Sequence, residues 1–497
     1  MAAKRIISCV CTVFLLQFGA AHADEAELGS ITFPNSGAAG AQTAFLSGVK
    51  ALHSFQFGEA RIAFEEAQSI DPEFALAYWG QAMSDNHPLW AQQDVAAATS
   101  ALNELAPTFE GRLASASGEK EKAFITAVET LYFSADDKLE RDFAYAEHMA
   151  GMHERWPDDH EISVFYALSL LGTVRRGDQG FRRQALAASI SQGIFAQNES
   201  HHGAAHFIIH SFDDPDHAIL ALPAAQVYAG IAPAAAHALH MPSHIFVQLG
   251  MWQRVVDSNI EAYAAAVAGI KKYGFAEGRE DFHTLSWLAY AYLMLGENEQ
   301  AAEKLVLAVE AVERNPGSKN VYDGYLGMRG RHMIETGQWE DVDLDAADSP
   351  AGANANWVSV VGMSAAHRGD MNTANAAVER LQVLGALADA AGKSYDARQI
   401  AILEKEVIAV TKLAAGDNDG AVIAAREAAE MELRDMQAPS GPPVPMKPAV
   451  ELYADVLLAA NRPAEAQVAY QRSLQRIPLR TPSVRGLEIS AAKANGH

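Results

Sequence analysis

Apolar and polar residues alternate along this chain with the period of an amphipathic helix. Most windows carry apolar residues at positions i, i+3 and i+4, and the strict alternation of a strand is scarce. Gly, Asp, Asn and Pro separate these short apolar segments. The pattern predicts an all-α protein of short, closely connected helices. Two segments rich in Pro, Gly and small residues, 343–356 and 437–448, are predicted to be loops.

One pattern of small and large residues recurs in three stretches, residues 45–72, 287–311 and 451–478. The first stretch reads FLSGVKALHSFQFGEARIAFEEAQSIDP, with small residues such as Gly48 where two helices approach and large ones such as Phe64 in the gap between them. This is the spacing of a tetratricopeptide (TPR) unit. The sequence therefore predicts a TPR-like α-solenoid of roughly ten or more helical hairpins, each touching mainly its neighbours.

The N-terminus has the pattern of a secretory signal peptide. A short basic start precedes an apolar run at residues 6–18, and the small-residue motif AHA follows at 21–23. We expect residues 1–23 to be removed and residues 24–497 to form a single solenoid that is periplasmic or secreted. Both cysteines lie in the signal, so the mature chain has no thiolate ligands. A second apolar run long enough to span a membrane is not found.

The formal charge of the chain is −24. A surface this acidic repels nucleic acid and anionic lipid, so neither is expected as a partner. A small molecule or a peptide in the concave groove of the solenoid remains a candidate partner, and the sequence does not indicate the oligomeric state.

Histidines are concentrated in the centre of the chain, at about residues 201–283. The stretch HHGAAHFIIHSFDDPDHA, residues 201–218, carries five of them, and HALHMPSH, residues 237–244, carries three. His206 and His240 are 34 residues apart, as are His210 and His244. Because the TPR period is about 34 residues, the two His-x-x-x-His pairs occupy equivalent, groove-facing positions on adjacent helices.

This placement predicts a transition-metal site. Residues four apart share one face of a helix, and packed helices lie about 8–10 Å apart, a gap that two imidazoles and His–metal bonds of about 2.0–2.1 Å can close. We therefore expect His206, His210, His240 and His244 to bind one ion. His201, His202 and His237 lie one turn earlier and either join this site or form a second one. His283 falls at a groove position of the following unit.

Three aspartates near the histidines each fit two roles. Asp213, Asp214 and Asp216 either orient a ligand imidazole or act as turn and N-cap residues, and the second reading is favoured. Pro242 lies inside the expected helix and should kink it. Isolated histidines are interpreted as structural or solvated, namely His87, His148, His153, His160, His332 and His367.

The chain also resembles a family of bacterial secreted TPR proteins. The resemblance rests on AYWGQAMSDNHPLW (77–90), HHGAAHFIIH, HMPSHIF, DFHTLSWLAYAYL and ELYADVLLAANRPAEAQ, and it covers nearly the whole mature chain. It implies the signature positions His87, His201, His206, His210, His237, His240, His244 and His283, and no particular reaction. The family usually has Pro where this chain has His202, which makes His202 less important than His201.

Three functions remain open at this point. The first is an enzyme that uses Zn for hydrolysis or Cu for redox chemistry, since imidazole ligands suit both metals. The second is an interaction scaffold whose groove binds a peptide or protein, and the third is metal sequestration without catalysis. The sequence has no His-Glu-x-x-His motif, Gly-rich phosphate loop or G-x-S-x-G motif, so the corresponding enzyme classes are not favoured.

Overall fold

Helical hairpins follow one another along the chain that the computed structural model describes, which comprises residues 28–175, 178, 180–342, 344 and 354–495. The predicted all-α, TPR-like solenoid is therefore confirmed. Residues 1–23, the expected signal peptide, lie outside the described residues, and so does most of the predicted loop at 343–356. The predicted loop at 437–448 is confirmed, since no helix or strand lies between Asp435 and Ala449.

The N-terminal helices are α1 (Gln42–His53), α2 (Phe57–Ile70), α3 (Ala75–Met83), α4 (Val95–Leu105), α5 (Phe109–Ser115), α6 (Gly118–Phe133), α7 (Lys138–Arg155) and α8 (His160–Gly172). Two short strands, β1 (Asn86–His87) and β2 (Gln92–Gln93), pair antiparallel between α3 and α4. Short 3-10 helices occur at Ala39–Ala41 and Pro88–Trp90.

The central helices are α9 (Arg182–Phe195), α10 (His202–Ser211), α11 (Ala218–Ile231), α12 (Ala236–His240), α13 (Pro242–Gln248), α14 (Trp252–Tyr273), α15 (Glu280–Leu295), α16 (Asn298–Arg314) and α17 (Lys319–Thr336). The C-terminal helices are α18 (Ala355–Arg368), α19 (Met371–Ala390), α20 (Ser394–Ala414), α21 (Asn418–Asp435), α22 (Ala449–Ala459), α23 (Pro463–Arg476) and α24 (Thr481–Ala494). Within the described part of the chain, no helix has the length and hydropathy that crossing a lipid bilayer would require.

The small and large residues of the repeat pattern pack as the sequence predicts. Phe64 of α2 is fully buried and fills the space between α1 and α3. A Cβ atom at Gly48 would lie 2.8 Å from its ring, and one at Gly80 would lie 2.3 Å from it. Near the C-terminus, a Cβ at Gly486 would lie 2.2 Å from Tyr470. Glycine is needed at these positions because only its missing side chain allows so close an approach.

Contacts between distant hairpins are the main difference from the expected nearest-neighbour array. Helix α1 packs against α10, and the His202 ring donates a hydrogen bond of 2.8 Å to the carbonyl oxygen of Lys50. At the other side, α24 packs against α15, and the Trp252 indole donates to the carbonyl oxygen of Leu479 at 3.1 Å. Two histidine-bearing helices therefore have distant partners, α10 against α1 and α15 against α24.

A buried cluster of charged residues stabilises the contact between α15 and α24. Arg480 is fully buried, and its guanidinium donates to Glu451 and to Glu335, both at 2.8 Å. Its third partner is the hydroxyl of Tyr290 in α15, at 3.2 Å. Because Glu335 lies in α17 and Glu451 in α22, one side chain connects three parts of the chain.

Candidate metal centre

Helix α10 presents three histidines on one face. His202, His206 and His210 follow one another at intervals of four residues, so their side chains lie one above the next. The next repeat unit has its helix interrupted, since α12 ends at His240 and α13 begins with Pro242 at its first position. The break agrees with the kink expected at Pro242, because proline fits the first turn of a helix and not its interior.

The structure gathers six histidines into two groups of three. His206, His210 and His237 form what we call the first triad, and His240, His244 and His283 form the second triad. In each triad, one ring nitrogen from every residue lies within 4.8 Å of the other two. The four histidines predicted to bind one ion are thus divided between two neighbouring groups.

The division has a simple geometric reason. The ring nitrogens determine it, because the nitrogens of each triad lie within 4.8 Å of one another. The rings of His210 and His244 have their centroids 6.1 Å apart. The ring of His237 lies closer to α10, with its centroid 5.0 Å from that of His206, and completes the first triad. His283 of α15 completes the second.

In the second triad, hydrogen bonds determine which nitrogen of each ring carries a lone pair. The Nδ1 of His240 donates to Oδ1 of Asn259 at 2.7 Å, and Asn259 donates its own Nδ2 to a backbone carbonyl. The Nδ1 of His244 donates to the carboxylate of Asp213 at 2.6 Å. In the neutral rings, Nε2 of both residues is therefore unprotonated.

These unprotonated nitrogens face each other. Nε2 of His240 lies 3.1 Å from Nε2 of His244 and 2.9 Å from Nε2 of His283. With both Nδ1 atoms donating, neutral His240 and His244 have no proton to place between their Nε2 atoms, and two lone pairs at this distance repel each other. Ligand nitrogens around one ion, with bonds of about 2.0–2.1 Å, lie at a comparable separation. A cation between the rings would remove the repulsion.

The first triad contains nitrogens with no hydrogen-bond partner. His206 donates its Nδ1 proton to the carbonyl oxygen of His53 at 2.6 Å, which leaves Nε2 as the acceptor. The Nε2 atoms of His206, His210 and His237 are all buried and unpartnered. Nδ1 of His237 lies 3.3 Å from a carboxylate oxygen of Glu280. Buried polar atoms nearly always have a partner, so three orphaned nitrogens in one place indicate a missing ligand.

Burial keeps three of the six rings uncharged. Desolvation, reinforced by the neighbouring histidines, lowers the pKa of His206, His210 and His240 well below 6.5. At pH 7 these imidazoles are neutral and offer a lone pair to a metal. Aromatic rings close the site, since Phe55 lies 4.5 Å from His206 and Trp287 lies 4.4 Å from His244, measured between ring centroids.

The expected groove positions are thus part of the protein interior. His206 and His240 are fully buried, although both were predicted to face the groove of the solenoid. The reason is that α1 and the Phe55 turn cover α10, a contact between distant hairpins that the repeat pattern does not predict. Replacing His240 by alanine would consequently leave a cavity, so it does not test metal binding alone.

Other predicted residues have different roles. His201 is not in either triad, since its Nε2 lies 3.2 Å from Glu161. Asp213 accepts a hydrogen bond from the ring of His244 at 2.6 Å, the contact that the less favoured of its two readings requires. Asp214 is a turn residue that accepts hydrogen bonds from the backbone and ring of His217. His87, a signature position, stacks on Phe57 outside both triads.

Sequence reasoning missed His53 and Glu161. His53 ends α1, and its Nε2 bonds to Glu161 at 2.7 Å with both side chains buried. Although burial opposes ionisation, His53 and His201 hold the pKa of Glu161 well below its usual range. Gly203 was the available signal, because a Cβ at this glycine would lie 2.8 Å from the His53 ring. The pair supports the first triad through the His53 carbonyl oxygen that accepts from His206.

Comparisons with known proteins give only general similarity. No protein-family model and no curated protein matches the chain. Among solved structures, yeast Tom70 is similar over 92% of this chain and 89% of its own, with 10% identity and a TM-score of 0.35. The TPR domain of P58(IPK) covers 92% and 99%, with 14% identity and a TM-score of 0.20. A chain of the APC/C hetero-tetramer Cut9–Hcn1 covers 91% and 96%, with 12% identity and a TM-score of 0.32. At these TM-scores the likeness carries no argument about this chain.

Fold and site together define the class of protein. It is a helical-repeat protein in which six imidazoles converge in two adjacent triads. The ring centroids of His237 and His240, one from each triad, are 6.3 Å apart, so the two triads lie next to each other.

Proposed function

We propose that this protein is an exported metalloprotein that binds copper or zinc at the two histidine triads. The observation that carries the proposal is the second triad, where Nε2 of His240 lies 3.1 Å and 2.9 Å from Nε2 of His244 and His283. The orphaned nitrogens of the first triad support a second ion beside it. The expected signal peptide and the resemblance to secreted TPR proteins support a periplasmic or secreted location.

The ligand set favours these two metals. Neutral imidazole is a good ligand for both Cu and Zn, and the mature chain expected from the sequence has no cysteine that would offer a softer site. Three protein ligands leave a coordination position for water or substrate, as in catalytic zinc sites. The proposal therefore includes an enzyme of hydrolytic or redox type, in which Asp213 and Asn259 fix the orientation of the ligand rings.

The test is metal analysis of untagged protein purified from its native compartment. We expect up to two equivalents of copper or zinc per chain. The His283→Gln variant should lose the ion of the second triad and keep that of the first. His367→Gln is the matched control, because His367 stacks on Trp339 away from both triads. Protein that contains no metal, and that binds neither added Cu nor added Zn, would contradict the proposal.

The alternative function, an interaction scaffold, predicts histidine rings that a bound peptide can reach. A groove that binds a peptide through histidine contacts needs accessible rings, whereas His206 and His240 are fully buried.

Sequestration without catalysis differs from the enzymatic alternative only in turnover. A panel of hydrolytic and redox substrates, assayed with the metal-loaded protein, separates these two functions.

A further inference from the structure

A cavity of about 400 Å³ lies directly beside the second triad. Helix α15 contributes His283 and Trp287 to its wall, α17 contributes Met328, and the loop before α22 contributes Met446. Because Nε2 of His283 faces His240, one residue belongs both to the triad and to the cavity wall. A molecule in this cavity would lie within reach of an ion held by the second triad.

The charge of the cavity wall is opposite to that of the protein. The chain carries a formal charge of −24 with 62 acidic residues, yet the described residues that line this cavity include no Asp or Glu. They include Arg279, which immediately precedes α15, and Arg331 of α17. Arginine stays protonated in proteins, so the wall is positive at all relevant pH values. A positive wall in an acidic protein selects an anion.

Arg331 has unused hydrogen-bonding capacity. It is 9% exposed, and its Nη2 donates to the carbonyl oxygen of Pro443 at 2.8 Å. Its Nη1 is buried and has no hydrogen-bond partner. The guanidinium also lies over the ring of Tyr290, 5.1 Å from the centroid, which fixes its plane. A carboxylate oxygen would supply the missing acceptor.

The remaining wall is apolar and partly aromatic. Phe282, Tyr290 and Met328 line it, and the glycines of α17 leave the space open. A Cβ atom at Gly327 would meet no heavy atom within 4 Å. The volume is within the range of small-molecule sites, about 300–1,000 Å³, and mixed apolar walls with a few polar groups are typical of them.

We propose that this cavity binds a small carboxylate with an aromatic or apolar body, positioned against the second triad. The carboxylate lies at Arg331, with the charge of Arg279 on the same wall, and the body packs on the aromatic wall beside His283. The preference for an anion is inferred from the cavity alone and does not depend on a bound metal. The assignment of this molecule as a substrate rests on the proposed metal function.

The probe is 3-phenylpropionate, with its neutral amide, 3-phenylpropanamide, as the isosteric control. Calorimetry with the metal-loaded full chain should show saturable binding of the acid, at least tenfold tighter than that of the amide. Gly327→Leu fills the cavity and removes a glycine from the interior of α17, so the helix should form at least as well. We expect it to abolish binding of the acid and to leave the metal content unchanged. Gly151→Leu is the matched control, since a Cβ there also meets no atom and Gly151 lies in α7.

A second variant tests the charge separately. Arg279→Gln should weaken binding of the acid and leave that of the amide unchanged. The proposal is overturned if the acid does not bind to metal-loaded protein, if acid and amide bind equally, or if Gly327→Leu and Gly151→Leu behave alike. Protein that binds the acid and no metal would support the cavity and refute the metal function. Protein that binds metal and not the acid would support the metal function and refute the cavity proposal.

Discussion

Asp213 offers the sharpest test of the second triad. Its carboxylate accepts the Nδ1 proton of His244 at 2.6 Å, and the two side chains are only 9% and 12% exposed. The bond holds the ring so that Nε2 points at His240, and its negative charge strengthens Nε2 as a ligand. Asp213→Asn keeps the shape and removes the charge, so it changes the ligand without opening a cavity.

The expected effect can be derived from this single bond. A hydrogen bond to a charged group contributes about 1.5–3 kcal/mol, and loss of such a partner typically lowers metal affinity about 10–100-fold. The two ranges agree, because a factor of ten corresponds to about 1.4 kcal/mol. We expect Asp213→Asn to weaken one of two metal equivalents by this factor and to leave the other unchanged, since no residue of the first triad contacts Asp213 by hydrogen bond or ion pair among the described residues.

The assay is competition against a chelator of known affinity, followed by the metal content of each fraction. Asp214→Asn is the matched control, because Asp214 is the next residue and pairs with His217 outside both triads. Equal affinity of Asp213→Asn and the unmodified protein would refute the reasoning. Equal weakening of both metal equivalents would show that the two triads are not separate sites.

Other outcomes depend on buried ionisable groups. Acid should release metal only below pH 6.5, because burial lowers the pKa of His206 and His240 and protons compete only near those lowered values; chelator titrations at several pH values check this. Arg480→Met should reduce the free energy of unfolding by about 3–5 kcal/mol in urea denaturation, since it leaves the buried carboxylate of Glu335 without its ion-pair partner, whereas Glu451 keeps Lys447. Burial also raises the pKa of Glu406 well above 4.5, and both its oxygens lack partners. The folded state therefore favours the protonated acid, and stability is lost as pH rises above the unfolded value. Glu406→Gln should stabilise the protein increasingly above pH 4.5 and hardly at all below it, as urea denaturation across this range would show.

The sequence predicts local structure well because each hairpin is specified by its own residues. The close approach at Gly48 and the helix break at Pro242 both follow from sterics within one or two neighbouring units. The 34-residue offset likewise identified the histidines of α10 and of α12–α13 as one cluster. Dividing these histidines into two triads required the actual positions of the ring nitrogens, which repeat equivalence alone does not supply.

Contacts between distant repeats were beyond this reasoning. A repeat pattern describes how each unit meets the next, whereas His53 meets α10 across about 150 residues. The same contact buries His206, so neither the burial of this residue nor the role of Glu161 could be predicted. Glu161 itself stands in an ordinary helical segment, with no sequence feature that marks its partners.

The burial of the triads is itself an argument about the native state. Leaving a buried polar atom without a partner costs about 1–3 kcal/mol, and the first triad has three such nitrogens. With His240 and His244 both neutral, the two facing lone pairs of the second triad add to this cost. The free energy of unfolding of a whole domain is only about 5–15 kcal/mol, so the cost of these unpaired nitrogens is a large fraction of it. Protonation of His240 offers little relief, because desolvation and the neighbouring rings lower its pKa. A bound cation removes both costs at once, and for this reason we expect the holo protein to melt at a distinctly higher temperature than the apo protein.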